Sequence, residues 1–210
     1  MRLRHRKWAN ECLDDNKDIG KNLSEINEET VLPYSQLEIG CGLGGFLLSM
    51  SHDHPQNKYL GVEVNKNAFA MAVKKASVVK KDQKNFLIIN SPIERLFPLF
   101  KEKQLNEIFI NFPDPWPKKK QHHRRLSYNT MLKEYDRILK DDGTIFFRTD
   151  NKELYEDSKT YFESSGLFDL TYISPFFSEN CDYLNATEYE NKFRAKGVDI
   201  NLIIAKKKNK

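Results

Sequence analysis

The feature that most constrains this chain is an alternation. Short runs rich in β-formers, SQLEI (35–39), KYLGVEV (58–64), NFLII (85–89), NEIFINF (106–112) and GTIFFRT (143–149), are each followed by a stretch of helical character. Strands separated in this way are joined by crossovers, so the pattern reads as βαβ units and a parallel sheet buried on both faces. The helices are FLLSM, AFAMAVKKASVVKK from 68, YNTMLKEYDRILK ending before Gly143, and ELYEDSKTYFESS ending at Gly166. FDLTYIS (168–174) and DINLIIAKK (199–207) add two strands, joined by a long connection. Seven strands in an α/β fold are therefore expected.

The length of 210 residues suits one such domain. Residues 1–34 carry no clear strand and read as a basic N-terminal arm, partly mobile, leaving 35–210 as the folded domain. The three cysteines, Cys12, Cys41 and Cys181, are widely spaced and lack any C-x-x-C, which argues against a disulfide framework and a zinc knuckle and favours a reducing cytosol. No apolar stretch approaches the length of a membrane span, and the basic start has no apolar segment of the kind that directs export. A cytoplasmic protein with no membrane partner is expected.

EIGCGLGG (38–45) directly follows a predicted strand and precedes a predicted helix. Gly40, Gly42 and Gly45 satisfy G-x-G-x-x-G, and Gly40, Gly42 and Gly44 the looser G-x-G-x-G; both need a tight turn and a backbone bare enough for a ligand to lie on. Glu63, near the end of the second strand, suits a ribose diol in either case. The glycines alone do not separate a nicotinamide oxidoreductase from a methyltransferase. Glu38 tilts the balance: an acid at that strand end repels a pyrophosphate but tolerates a zwitterion carrying an ammonium, although it also reads as a solvent-facing strand residue. Asn90, ending the third strand, is placed to meet an adenine edge or to cap the following SPIERL turn.

NFPDPWPKKKQHHRRLS (111–127) is the second motif. The formal net charge is +4 from 34 basic and 30 acidic residues, and residues 111–125 alone hold five Lys or Arg against one Asp, so the excess is local and marks an anionic partner. Prolines at 113, 115 and 117 stiffen the loop, and Trp116 offers a face for a base or a plug for the sheet end. In open parallel sheets the ligand crevice lies beyond the carboxyl ends of the strands, which aims Asp114 at the same crevice as Gly40.

Together, RLRHRKWA, EIGCGLGGF, NFPDPWPKKKQHHRRL, RTDN (148–151) and TEYENKF (187–193) resemble the bacterial tRNA (guanine-N7-)-methyltransferase family, the TrmB type, over nearly the whole chain and in the expected order. The resemblance implies a Rossmann-like S-adenosylmethionine-dependent methyltransferase fold. Its sheet would be mostly parallel and seven-stranded, with helices on both faces and an antiparallel C-terminal strand. It further implies S-adenosylmethionine held by Glu38, Gly40, Gly42, Glu63, Asn90 and Asp114, and a substrate nucleotide held by Lys118, Asp150, Thr187 and Glu190. Asn90 and Leu43 depart from the Asp and Lys that family members often carry.

The expected reaction is methylation of a variable-loop guanine of tRNA, position 46, at N7. Asp114 is the candidate catalytic carboxylate, joined by Asp150, which with Glu153 also fits a capping box for the next helix. Lys119, Lys120, Arg124 and Arg125 are expected on tRNA phosphates, and Arg2, Arg4, Arg6 and Lys7 with Trp8 form a second candidate contact or a solvated start. His122 and His123 lack metal-ligand companions at useful spacing and read as solvated, so no metal is expected. A monomer or homodimer is compatible with all of this. The competing reading, an idle RNA-binding module, has no use for an intact Glu38, Asp114 and TEYE set.

Overall fold

The structure, a computed structural model, describes residues 7–79, 85–176 and 183–209. It divides into two units, residues 1–100 and 101–210. Cys181 and Arg2, Arg4 and Arg6 lie outside the described residues; Cys12 and Cys41 are free thiols.

The first unit runs α1 (Lys7–Asp15), β1 (Gly20–Asn22), α2 (Glu28–Val31), β2 (Gln36–Ile39), α3 (Gly45–Asp53), β3 (Tyr59–Glu63), α4 (Lys66–Val79) and β4 (Phe86–Asn90). Its strands lie in the order β1-β4-β3-β2, all parallel. Ile88 is in register with both Gly20 and Gly61, so all three point to one face. A Cβ on Gly20 would meet Val73 of α4 at 2.4 Å, and one on Gly61 would meet Leu47 of α3 at 2.8 Å. Both helices therefore cover that face, at a distance only glycine permits. Strand β1 is an addition to the seven expected. It reads GKN, three residues with no apolar or β-branched side chain, and pairs through backbone with β4.

The second unit runs β5 (Leu105–Asn111), a 3₁₀ turn over Lys119–Arg124, α5 (Asn129–Ile138), β6 (Leu139–Thr149), α6 (Lys152–Ser165), β7 (Phe168–Ile173), α7 (Glu188–Arg194) and β8 (Asn201–Lys207). β5 and β6 pair parallel, while β8 runs antiparallel to both β6 and β7, as the resemblance implied for the last strand. Gly166 ends α6 in the left-handed conformation, as expected. Gly143 does not end a helix. α5 stops at Ile138, and Gly143 lies inside β6 at a slip in the β5–β6 register, where a Cβ would sit 2.9 Å from the Lys140 carbonyl. Asp142 takes the left-handed position in its place. Buried Lys207 completes α5 by donating from Nζ to the carbonyls of Asp136 (2.5 Å) and Leu139 (2.9 Å).

Candidate active site

The glycine turn of the first unit is built from backbone. At the end of β2 the chain turns through Gly40, Gly42 and Gly44 with φ of +77°, +55° and +75°, so the looser glycine pattern is the one the turn uses. Gly40 and Cys41 donate to the Val62 carbonyl at 2.8 and 3.0 Å, tying the turn to β3. A Cβ at Gly40 or Gly42 would meet nothing within 4 Å, whereas one at Gly44 would press on Ala72 at 3.2 Å. The first two glycines thus leave open space and the third lets α3 approach α4.

Glu63 clamps this turn. Its carboxylate, 8 % exposed, accepts from the Gly42 N–H at 2.8 Å through Oε2 and from the Asn65 N–H at 2.7 Å through Oε1. Asn90 donates from Nδ2 to the carbonyls of Glu63 (2.7 Å) and Val64 (3.3 Å), which fixes the amide so that Oδ1 faces away as an acceptor. It caps no helix, because the turn at Ile93–Arg95 starts from Pro92. Glu38 is buried at 3 % exposure rather than solvent-facing. Burial, with Glu38 and then Glu63 adding negative charge, pushes the Cys41 thiol well up.

In the second unit, the loop after β5 is strained and braced. Phe112 and Trp116 take φ of +52° and +41°, conformations that disfavour side-chain-bearing residues by roughly 1–2 kcal/mol each. The Phe112 N–H donates to the Arg148 carbonyl at 2.8 Å. Arg125 braces the far side by donating to the carbonyls of Pro115 (2.8 Å) and Trp116 (3.4 Å) and to Asp157 at 2.5 Å. Arg125 is 1 % exposed, so its expected place on an RNA-facing surface is corrected: its charge is spent inside the loop. Lys118, Lys119, Lys120 and Arg124 are exposed, and Arg124 lies over the Trp116 ring at 5.0 Å.

His122 is likewise not solvated. Its Nδ1 sits 3.2 Å from the Tyr161 hydroxyl, and its ligand atoms and those of Glu153 and Asp157 lie within 4.8 Å of one another. Both acids come from α6, too far along the chain for sequence spacing to reveal, and the Arg125 guanidinium already supplies positive charge there.

Asp114 is exposed and Asp150 half-buried, and neither carboxylate forms a hydrogen bond among the described residues. The α6 cap is Asn151, which accepts from the Leu154 N–H at 2.8 Å, so the capping box expected of Asp150 and Glu153 does not form and a simple cap one residue later takes its place. Thr187 and Glu190 are buried at 6 % and 0 % exposure. Thr187 caps α7, accepting from the Glu190 N–H at 2.9 Å, and Glu190 meets Arg148 at 3.2 Å. The T-x-x-E spacing of a helix start was present in the sequence and explains this placement.

Arg148 is the residue that sequence reasoning missed. Wholly buried, it donates to Asn111 Oδ1 (2.7 Å), the Asn185 carbonyl (2.9 Å) and Glu190, joining the β5 end, β6 and α7. It opens the RTDN motif, but only its seat in an apolar run hinted that it would be buried.

A family described as putative methyltransferase matches residues 34–203. A tRNA (guanine-N(7)-)-methyltransferase of Limosilactobacillus reuteri (strain DSM 20016) is 36 % identical over 215 residues, covering 98 % of this chain and 99 % of that protein. The chain belongs to the tRNA (guanine-N(7)-)-methyltransferase family. Its Bacillus subtilis (strain 168) relative is 34 % identical over 207 residues, with 95 % and 96 % covered. Among solved structures, the 16S rRNA methyltransferase KamB has a TM-score of 0.62 at 15 % identity, covering 86 % of this chain and 92 % of that one. This likeness bears out the methyltransferase fold.

Proposed function

We propose that the protein transfers a methyl group from S-adenosylmethionine to N7 of a guanine in tRNA, the variable-loop guanine at position 46, forming 7-methylguanosine. The reading is carried by the 36 % identity, over nearly the full length of both chains, to a tRNA (guanine-N(7)-)-methyltransferase. The residues of the first unit fit the donor. Gly40 and Gly42 leave open space, Glu63 would offer its remaining lone pairs to a ribose diol, Asn90 Oδ1 would accept from an adenine amino group, and Glu38 would favour an ammonium. When bound, S-adenosylmethionine supplies an electrophilic methyl whose bonding pair stays on sulfur.

Guanine N7 carries a free lone pair, so no residue needs to remove a proton, and the chain's task is placement. Asp114, with Asp150 beside the same strand ends, favours the positive charge that develops on the purine. Lys118 meets the target nucleotide. Thr187 and Glu190, being buried, act on it through the start of α7, which they fix. Lys119, Lys120 and Arg124 take the phosphates. No helix among the described residues is long and apolar enough to cross a membrane, and it is the tRNA substrate that assigns the work to the cytoplasm.

The test incubates the protein with labelled S-adenosylmethionine and unmodified tRNA, then cleaves with aniline after reduction at the methylated purine. Label at a variable-loop guanine is expected, and Asp114→Ala is expected to abolish it with the fold kept, as thermal melting reads. Methylation that survives replacement of that guanine would overturn the reading.

A further inference from the structure

Three aromatic rings cluster where α7 meets the strained loop. Phe112 and Tyr189 have centroids 5.9 Å apart and planes 23° apart, Tyr189 and Phe193 are 5.9 Å and 30° apart, and Phe112 and Phe193 are 6.2 Å and 20° apart. Phe112 and Phe193 are half-buried, but Tyr189 remains 58 % exposed. Such a ring is normally covered or polar-faced. Here the helix turn that carries it is anchored. Thr187 and Glu190 fix the turn of α7 that carries it, Glu190 is locked to the Arg148 guanidinium, and the Arg148 carbonyl in turn accepts from the Phe112 N–H. Phe112 lies two residues before Asp114.

We propose that Tyr189 is the platform on which the target guanine stacks, a role that rests on the guanine-N7 reading above. Every purine has a face to stack, and a ring on an anchored helix turn, packed against the residue two positions before the candidate acid, holds one with little loss of side-chain freedom. The electron-rich phenol face also attracts cations, and N7 methylation turns a neutral guanine into a cationic purine. The stacking therefore strengthens as the reaction proceeds, which is the condition for an interaction to raise the rate rather than only the affinity. Trp116 is the competing platform, but it is half-buried with Arg124 over its ring, whereas Tyr189 keeps more than half of its surface open.

The test measures single-turnover methylation of unmodified tRNA by the full chain and by Tyr189→Phe, Tyr189→Leu and Tyr189→Ala, with S-adenosylmethionine affinity and thermal melting recorded for each. Leu and Ala are expected to slow transfer by roughly 10- to 100-fold while Phe stays within about threefold, with cofactor affinity unchanged. Leu matches Tyr in helix propensity or betters it, so it isolates the aromatic face from loss of α7. If Leu transfers as fast as Phe, or if no variant is slowed, the stacking role is overturned. A wild-type chain that methylates no tRNA guanine would instead sink the guanine-N7 reading, and this proposal with it.

Discussion

The guanidinium of Arg148 lies 3.2 Å from the carboxylate of Glu190, and neither side chain is exposed to solvent. A buried pair of this kind adds little net stability over an apolar replacement of both partners, but removing one leaves a desolvated charge. Arg148→Met is therefore expected to lower unfolding free energy by about 3–5 kcal/mol. Glu190→Gln, which keeps an acceptor, is expected to lower it less. Urea unfolding checks both, and a loss under about 1 kcal/mol for Arg148→Met would show that the pair is not buried in solution.

Arg124 and Arg125 are adjacent in sequence and opposite in role. Arg124 is exposed over Trp116, so Arg124→Ala is expected to weaken tRNA binding and reduce the salt slope by roughly 0.7–0.9 for each phosphate left without its cation. Arg125 holds two loop carbonyls and Asp157, so Arg125→Ala is expected to destabilise by about 2 kcal/mol, and Arg125→Lys to rescue it poorly because an ammonium cannot span those acceptors. Salt titrations of tRNA affinity, run beside thermal melts, separate the two. Similar salt slopes and melting losses for both variants would contradict the division.

The glycine turn offers a similar contrast. Gly42→Ala meets no steric neighbour, yet forces a Cβ onto a residue at φ +55° and into the open space above the turn. It is expected to lower stability by about 1–2 kcal/mol and S-adenosylmethionine affinity by at least about tenfold. At Gly44 the added methyl presses on Ala72 instead, so Gly44→Ala is expected to act mainly on melting temperature. Equilibrium dialysis with labelled cofactor distinguishes them. Unchanged affinity in Gly42→Ala would remove that residue from the cofactor surface.

What the sequence revealed follows the range of the forces involved. Strands β2 to β8 were visible because their apolar runs are set locally, and the glycine turn because backbone conformation is a local property. β1 was not, since GKN pairs through its backbone with a strand some 68 residues away. Arg125, Arg148 and His122 were misread or missed for one shared reason: whether a charged or polar side chain faces water depends on partners brought by distant elements. Asp157 for Arg125 and Tyr161 for His122 lie 32 and 39 residues away. Asp150 and Asn151 show the finer limit, where two adjacent residues both suit a helix cap and backbone geometry selects the second.

Cys41 makes the last prediction a matter of sign. Its thiol is pushed well above the ordinary range by burial, with Glu38 and Glu63 adding to the effect. The unfolded chain loses this proton near pH 8.5, whereas the native state keeps it, so above that pH the native state binds more protons. The stability linked to Cys41 is thus fully present below about pH 8.5 and lost as pH rises toward the native value, at up to about 1.4 kcal/mol per pH unit. Urea unfolding between about pH 8 and 9.5 should show this decline, and Cys41→Ala should make it shallower, Cys12, also raised by burial, keeping a share of the same sign. Tyr34, Tyr155 and Tyr161, also shifted upward by burial, contribute with the same sign but from higher pH, which sets the upper end of the window. The slopes are compared rather than the absolute stabilities, because Cys41→Ala also removes packing against Gly61. Equal slopes in the two proteins would mean that Cys41 titrates alike folded and unfolded, and that the turn carrying Gly40 and Gly42 is open to water.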